Sequence, residues 1–354
     1  MNKLKIGLLT TSFFGLPPRS YGGAELVTWN TARGLCEKGH KVILYASDTS
    51  QTPPKGFLYK TGATLNSVEV NWLEEEKQDW ERVKHTFSDL DIVMGDTWFG
   101  WQYASKRENP ELKMCHRMHG HLNPDWWCRS PSPFKLNMIA ISEHMKNLYE
   151  TGYNNQICKI PARRCYNGID LTQYPLQKDK SDKLLFLGRI DPIKGVHTSI
   201  DVAEKAKTPI DIVGATEFVA NKQYVHEIRT KCSQSEYANF VGEVSHEDKV
   251  RYLQNAKALV TASSFGEPFG LMYPEALSCG TPVISTDDGA AKEIITEDTG
   301  FICNSVDKMV SAVSQLSTIS TEDCRKRAER FSYQRMCERL EELYKLIIYE
   351  NYEW

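Results

Sequence analysis

Short apolar runs alternate with longer stretches of mixed polarity along most of the chain. Leu4–Thr10, Lys41–Ala46, Asp91–Gly95, Lys113–Arg117 and Met138–Ile141 read as buried strands. Between them lie stretches with helical spacing, such as Ala24–Glu37 and Glu143–Glu150, with Ser142 as N-cap of the second. The alternation breaks between Lys159 and Lys183, where Pro161, Asn167-Gly168, Pro175 and a run of Lys and Asp punctuate the chain. It then restarts. Lys183–Leu187, Ile210–Val213, Asn239–Val241, Ala258–Thr261 and Pro282–Ser285 read as strands, and Gly195–Lys207, Glu247–Gln254 and Leu271–Ser278 as helices. The segment Ser320–Glu350 is charged and helical. Strand–helix–strand repetition predicts α/β architecture with parallel sheets covered on both faces, in two halves. The boundary is expected at 164/165.

Length agrees with two domains, since 354 residues correspond to two units at roughly 100–200 residues each. The composition, 41% hydrophobic and 25% charged, is that of an ordinary globular protein. A net charge of -3 argues against a nucleic-acid binder, whose surface must neutralise phosphates. No apolar run approaches the roughly 18–20 residues that cross a bilayer. Met1–Phe14 could be taken for a secretion signal, but no clean small-residue cleavage site follows, so it reads as a first buried strand and a cytoplasmic location is expected. Ten cysteines form no C-x-x-C pair and no zinc spacing with histidine, and are expected as isolated thiols.

Ligands of open α/β sheets bind at the carboxyl ends of the strands, so the chemistry is sought in strand-to-helix loops. After Ala258–Thr261 comes Glu267-Pro-Phe269-Gly270-Leu271-Met-Tyr-Pro-Glu275, followed by Gly280-Thr-Pro-Val283. Gly270 and Leu271 stand where a helix should open, with free N–H groups suited to a phosphate. Glu267 and Glu275 flank that point and suit hydroxyls, because a carboxylate accepts from two at once. After Lys183–Leu187 comes Gly188-Arg189-Ile-Asp-Pro-Ile-Lys194-Gly195, whose two cations could neutralise a departing diphosphate. In the first half, Tyr21-Gly22-Gly23-Ala24-Glu25 follows the first strand, and Arg117-Met-His119-Gly120-His121 follows the fourth. Gly22 and Gly23 permit a close backbone approach to a ligand.

These segments resemble the E-x-F-G-x4-E, G-R-x4-K-G and G-G-x-E motifs of the retaining glycosyltransferases of the large family 4 type, which have the GT-B fold. The resemblance covers nearly the whole chain and is most specific in its second half. It implies two Rossmann-like, doubly wound domains facing across a cleft. Residues 1–164 would bind the acceptor, and 165–335 the nucleotide sugar. The final helix, 336–354, would rejoin the first domain, and Asn167-Gly168-Ile169-Asp170 would form the turn opening the second. By the same resemblance Glu267 meets the transferred sugar and Glu275 the ribose, while Phe269, Gly270 and Leu271 line the donor site. Arg189 and Lys194 face the diphosphate, Gly22 and Gly23 lie by it, and His119 lies near the sugar, with His121 as the alternative.

The implied activity is metal-independent, retaining transfer of a sugar, most commonly from a UDP-sugar, to a hydroxyl acceptor. It needs no cofactor beyond the donor substrate. A nucleotide-sugar epimerase of the same fold and a non-catalytic nucleotide-sugar binder are the alternatives. Asp89-Leu90-Asp91 fits a metal-binding D-x-D, but it precedes a strand and so belongs at the sheet's far edge. Trp98, Trp126 and Trp127 are candidates for the acceptor side, where flat rings suit sugars or apolar aglycones. The acceptor could be a saccharide, a lipid carrier or a small molecule, with at most peripheral membrane contact.

Overall fold

The structure is a computed structural model and describes residues 2–19, 22–65, 67, 69–121, 127, 135–152, 159–217, 219 and 221–354. The chain divides into two compact units, Met1–Gly168 with Tyr333–Trp354, and Ile169–Ser332.

The first unit is built on a seven-stranded sheet, β1 (Lys5–Thr10), β2 (Lys41–Ala46), β3 (Phe57–Lys60), β4 (Ile92–Asp96), β5 (Met114–Met118), β6 (Met138–Ala140) and β7 (Ala162–Arg164). Its order is β3-β2-β1-β4-β5-β6-β7, and every pair is parallel. The central strands are apolar on both faces because helices cover both. Ile6, Leu8, Val42, Leu44, Ile92, Met94 and Ile139 are all fully buried. Strand order reverses between β1 and β4, so their carboxyl ends open a crevice.

The helix Tyr333–Ile348 returns to this unit and buries Met336, Cys337, Leu340, Leu343, Tyr344 and Ile347 along one face. It lies hard against the helix Gly23–Glu37. A Cβ on Gly34 would sit 2.5 Å from Cys337 Sγ, so a side chain there would force the two helices apart. Ser142 caps the helix Glu143–Thr151 by accepting from the Met145 amide at 3.0 Å. Asp91 lies at the amino edge of the sheet, taking the Lys5 amide at 2.7 Å, and Asp89 pairs with the Lys5 ammonium at 3.6 Å.

The second unit repeats the plan with β8 (Leu184–Leu187), β9 (Ile210–Val213), β10 (Ala238–Gly242), β11 (Ala258–Thr261), β12 (Val283–Thr286) and β13 (Gly300–Cys303). The order is β10-β9-β8-β11-β12-β13, again parallel. Phe186, Ile212, Val260 and Ile284 meet Val196, Ile200, Ile228 and Met309 from the flanking helices in one core. Here the order reverses between β8 and β11. The two loops that the sequence singles out in this half are the ones that leave this switch point.

Among the described residues no helix is long and apolar enough to cross a membrane. The cysteines described are free and buried.

Candidate active site

In the second unit β8 runs into Gly188 and Arg189. Asp191 then accepts from the Ile193 amide at 3.2 Å and starts a single 3-10 turn, Pro192–Lys194. The turn ends at Gly195, whose φ of +67° opens the helix Val196–Lys205. A Cβ on Gly195 would stand 2.0 Å from the Ala262 carbonyl oxygen. That close approach is what brings Lys194 against the loop leaving β11. Its Nζ lies 2.7 Å from Glu267 Oε2 and 4.4 Å from the centre of the Phe265 ring. Both side chains of the pair are largely buried, at 18% and 8% exposure. Arg189 is more open and leans on Asp191, Nε to Oδ2 at 3.4 Å.

The Glu267 loop is held from below. Asp288 accepts from the amides of Gly266 at 2.8 Å and Glu267 at 3.1 Å, and the Ala290 amide donates to the Glu267 carbonyl at 2.9 Å. Gly289, at φ +54°, has no room for a side chain under the Glu267 backbone. Phe269 is buried, edge-on to Phe331 with ring centres 5.9 Å apart. Gly270 takes φ +78°, and a Cβ there would strike the Tyr273 ring at 2.5 Å. Leu271 is half-buried and precedes the helix Met272–Ser278. That helix has seven residues and carries Pro274 in its first turn. It is therefore a weak source of dipole, and the charge facing any phosphate must come chiefly from Arg189 and Lys194.

Glu275 lies one turn into this helix, buried, and its Oε1 accepts from the Tyr174 hydroxyl at 2.6 Å and from Lys249 Nζ at 2.8 Å. Lys249 also donates to the Tyr174 oxygen at 3.0 Å. Tyr174, Lys249 and Asp288 are missing from the sequence reading. They come from distant segments, and no local pattern marks them.

In the first unit Gly22, at φ 141°, stands ahead of the helix Gly23–Glu37. A Cβ on Gly22 would meet Pro18 at 2.7 Å and Glu25 Oε2 at 3.2 Å. Gly23 is exposed. Glu25 is buried, and that burial pushes its carboxyl up to about 7. His119 directly follows β5, and its Nε2 lies 3.4 Å from Asp96 Oδ1 at the end of β4. Asp96 is itself gripped by the fully buried Arg117, at 2.8 Å from Nε and 2.5 Å from Nη2, and by the Thr28 hydroxyl at 2.7 Å. Burial opposes the Asp96 charge, but Arg117 and His119 outweigh it and hold the carboxyl well below the usual range. Burial lowers the His119 imidazole, with Asp96 opposing. A network of this kind fixes the ring's orientation.

Trp98 is the exposed aromatic of the group, at 39%. It packs on Phe13 and Trp72 with ring centres 5.7 and 5.0 Å away, and its amide donates to Glu76 at 2.7 Å. Trp127 instead packs inside, 5.0 Å from the His116 ring, with its indole N–H on the Trp98 carbonyl at 3.2 Å. Its surface is used for packing rather than offered to a ligand. Trp126 lies outside the described residues, as does Tyr21.

Residues 171–335 match the family model described as glycosyl transferases group 1, and residues 21–173 that of glycosyltransferase family 4. The chain belongs to the GT-B glycosyltransferases of the family 4 type. It is 28% identical over 226 residues to a glycogen synthase of Mycobacterium tuberculosis, covering 61% of this chain and 52% of the synthase. It thus spans about half the length of that relative. It is also 28% identical over 337 residues to the O-antigen chain mannosyltransferase C of Escherichia coli, covering 84% of this chain and 85% of that one. Among solved structures, Anabaena HepE in complex with UDP and glucose superposes with a TM-score of 0.73 at 17% identity, covering 96% and 98% of the two chains. At that identity the likeness concerns the fold.

Proposed function

We propose that this glycosyltransferase moves a sugar from a nucleoside-diphosphate donor, a UDP-sugar, to a hydroxyl acceptor with retention and without a metal ion. The observation that carries the reading is at the switch point of the second unit. Arg189 and Lys194 leave β8, Glu267 leaves β11, and the Lys194 ammonium meets the Glu267 carboxylate at 2.7 Å. Two cations and a carboxylate on adjacent loops suit a diphosphate and the hydroxyls of the sugar attached to it. Glu275 takes the ribose.

In the reaction the anomeric C–O bond to the diphosphate breaks, and the acceptor oxygen bonds to the same carbon from the same face. Its proton leaves with the diphosphate. Arg189 and Lys194 stabilise the charge that grows on the leaving group, a preorganised electrostatic effect. Glu267 orients the sugar. The first unit takes the acceptor, with Trp98 as a flat platform, the exposed Gly23 leaving backbone open to a ligand beside the buried Gly22, and His119 as a hydrogen-bonding group fixed by Asp96. The UDP assignment draws on the complexes of HepE with UDP and UDP-glucose.

The test is release of nucleoside diphosphate from UDP-, GDP- and ADP-hexoses with a panel of hydroxyl acceptors and a chelator present, followed by NMR of the product's anomeric carbon. Retained configuration with a UDP-sugar is expected. An inverted product, or turnover that requires a divalent ion, overturns the corresponding part.

A further inference from the structure

Glu275 is not a lone carboxylate. Both of its side-chain hydrogen bonds fall on Oε1, from Tyr174 at 2.6 Å and Lys249 at 2.8 Å, and Lys249 closes the triangle with a 3.0 Å bond to the Tyr174 oxygen. No hydrogen bond to Oε2 occurs among the described residues. The three residues are 75 and 26 positions apart along the chain, so the arrangement is tertiary. Lys249 comes from the helix His246–Asn255 and Tyr174 from the segment that opens the unit. The triangle is also packed. Tyr174 is buried, the His246 ring stands edge-on to it at 5.5 Å, and the Lys249 and Glu275 side chains are 19% and 5% exposed.

A carboxylate on a short helix could turn about its terminal bond and offer either oxygen. Two donors on one oxygen remove that freedom and leave the other edge for a ligand. Resting on the ribose role given to Glu275 above, we propose that Lys249 and Tyr174 are positioning residues. They fix Glu275 so that Oε2 receives the ribose hydroxyls, which makes the unit selective for ribonucleotides over deoxyribonucleotides. Neither needs to touch the nucleotide. A hydrogen bond from a hydroxyl to a charged, pre-oriented acceptor changes affinity by about tenfold or more, whereas a carboxylate that must first be ordered loses part of that gain.

The experiment measures, by calorimetry on the full chain, the affinities of UDP and 2′-deoxy-UDP for the wild type, Lys249→Met, Tyr174→Phe and Glu275→Gln, with a thermal scan confirming that each variant is folded. The wild type is expected to prefer UDP by about tenfold or more. In Lys249→Met and Tyr174→Phe that ratio should shrink towards unity, because UDP binding weakens while 2′-deoxy-UDP binding stays nearly constant. A merely structural role would lower both affinities by the same factor and leave the ratio intact, and that result overturns the proposal. Tyr174→Phe keeps the ring and loses the hydroxyl, so it decides the case if Lys249→Met does not fold. If Glu275→Gln keeps the wild-type ratio, the ribose role of Glu275 itself is wrong. If Glu275→Gln abolishes the ratio while the other two retain it, that role stands and only the positioning is refuted.

Discussion

Lys194 and Arg189 differ in how they are held, and the difference predicts how each variant should behave. The Lys194 ammonium is paired at 2.7 Å with Glu267 and sits over the Phe265 ring. Arg189 meets Asp191 at 3.4 Å and is more open. Both should serve the developing charge of the leaving group, so Arg189→Ala and Lys194→Ala should each lower kcat by about a hundredfold or more. Steady-state kinetics with the native donor will check this. Lys194→Ala should also loosen the Glu267 loop, whose carboxylate then stands largely buried without its cation. The residues proposed for the site stand out in the sequence because they are local. Arg189 and Lys194 occupy one loop, and Glu267, Phe269, Gly270, Leu271 and Glu275 another. Lys249, Tyr174, Asp288 and Asp96 were not legible. Each reaches its place through the fold, and a single Lys or Asp in a polar stretch looks like a solvated surface residue until the packing is known.

Burial on two faces decides which elements declare themselves. The inner strands β1, β2, β4, β8, β11 and β12 are mainly apolar, β5 and β9 carry buried polar residues among apolar ones (His116 and Arg117, and Asp211), and all eight stand in the sequence reading within a residue or two. The three strands it missed, β3, β7 and β13, all lie at sheet edges. Phe57 is 52% exposed, and β7 is Ala162-Arg163-Arg164. These three strands are short and partly exposed, which weakens the apolar pattern, whereas β10, also at an edge, is legible at Asn239–Val241. The turn between β8 and its helix shows the complementary rule, that a tight approach selects a residue type. Gly195 combines φ +67° with a Cβ position 2.0 Å from the Ala262 oxygen. Gly195→Ala should therefore lower stability by about 2 kcal/mol or more and move Lys194 away from Glu267. The midpoint of denaturant unfolding, compared with donor KM, reads both effects. A variant with unchanged midpoint and KM would show that the turn is not constrained in this way.

For the whole molecule, two buried acids set an unusual pH response in the first unit. Burial pushes Glu25 up to about 7 and Glu76 up to about 8, the latter despite the amides of Trp98 and Phe99 that favour its charge. In an unfolded chain both would titrate near about 4.3. Between those limits the folded chain binds more protons than the unfolded one, so stability is greatest below the unfolded value and falls as pH rises through 7 to 8. Asp96 runs the other way, because its folded value is depressed, and its contribution is lost only as pH falls below the ordinary carboxylate range. Burial also lowers the His116 imidazole to about 4, which opposes this trend up to the ordinary imidazole value, so the unfolding temperature should decline between about pH 6.5 and pH 8, and Glu76→Gln should flatten that decline.

The second unit is proposed as a nucleotide-sugar site assembled where β8 and β11 end. Its most direct test is calorimetric titration of UDP, GDP and ADP into the full chain and into Lys194→Ala and Glu275→Ala. UDP should bind selectively, and each variant should weaken that binding by about tenfold or more, a loss of about 1.4 kcal/mol or more. Absence of binding by all three nucleotides, or UDP binding indifferent to both substitutions, would contradict it.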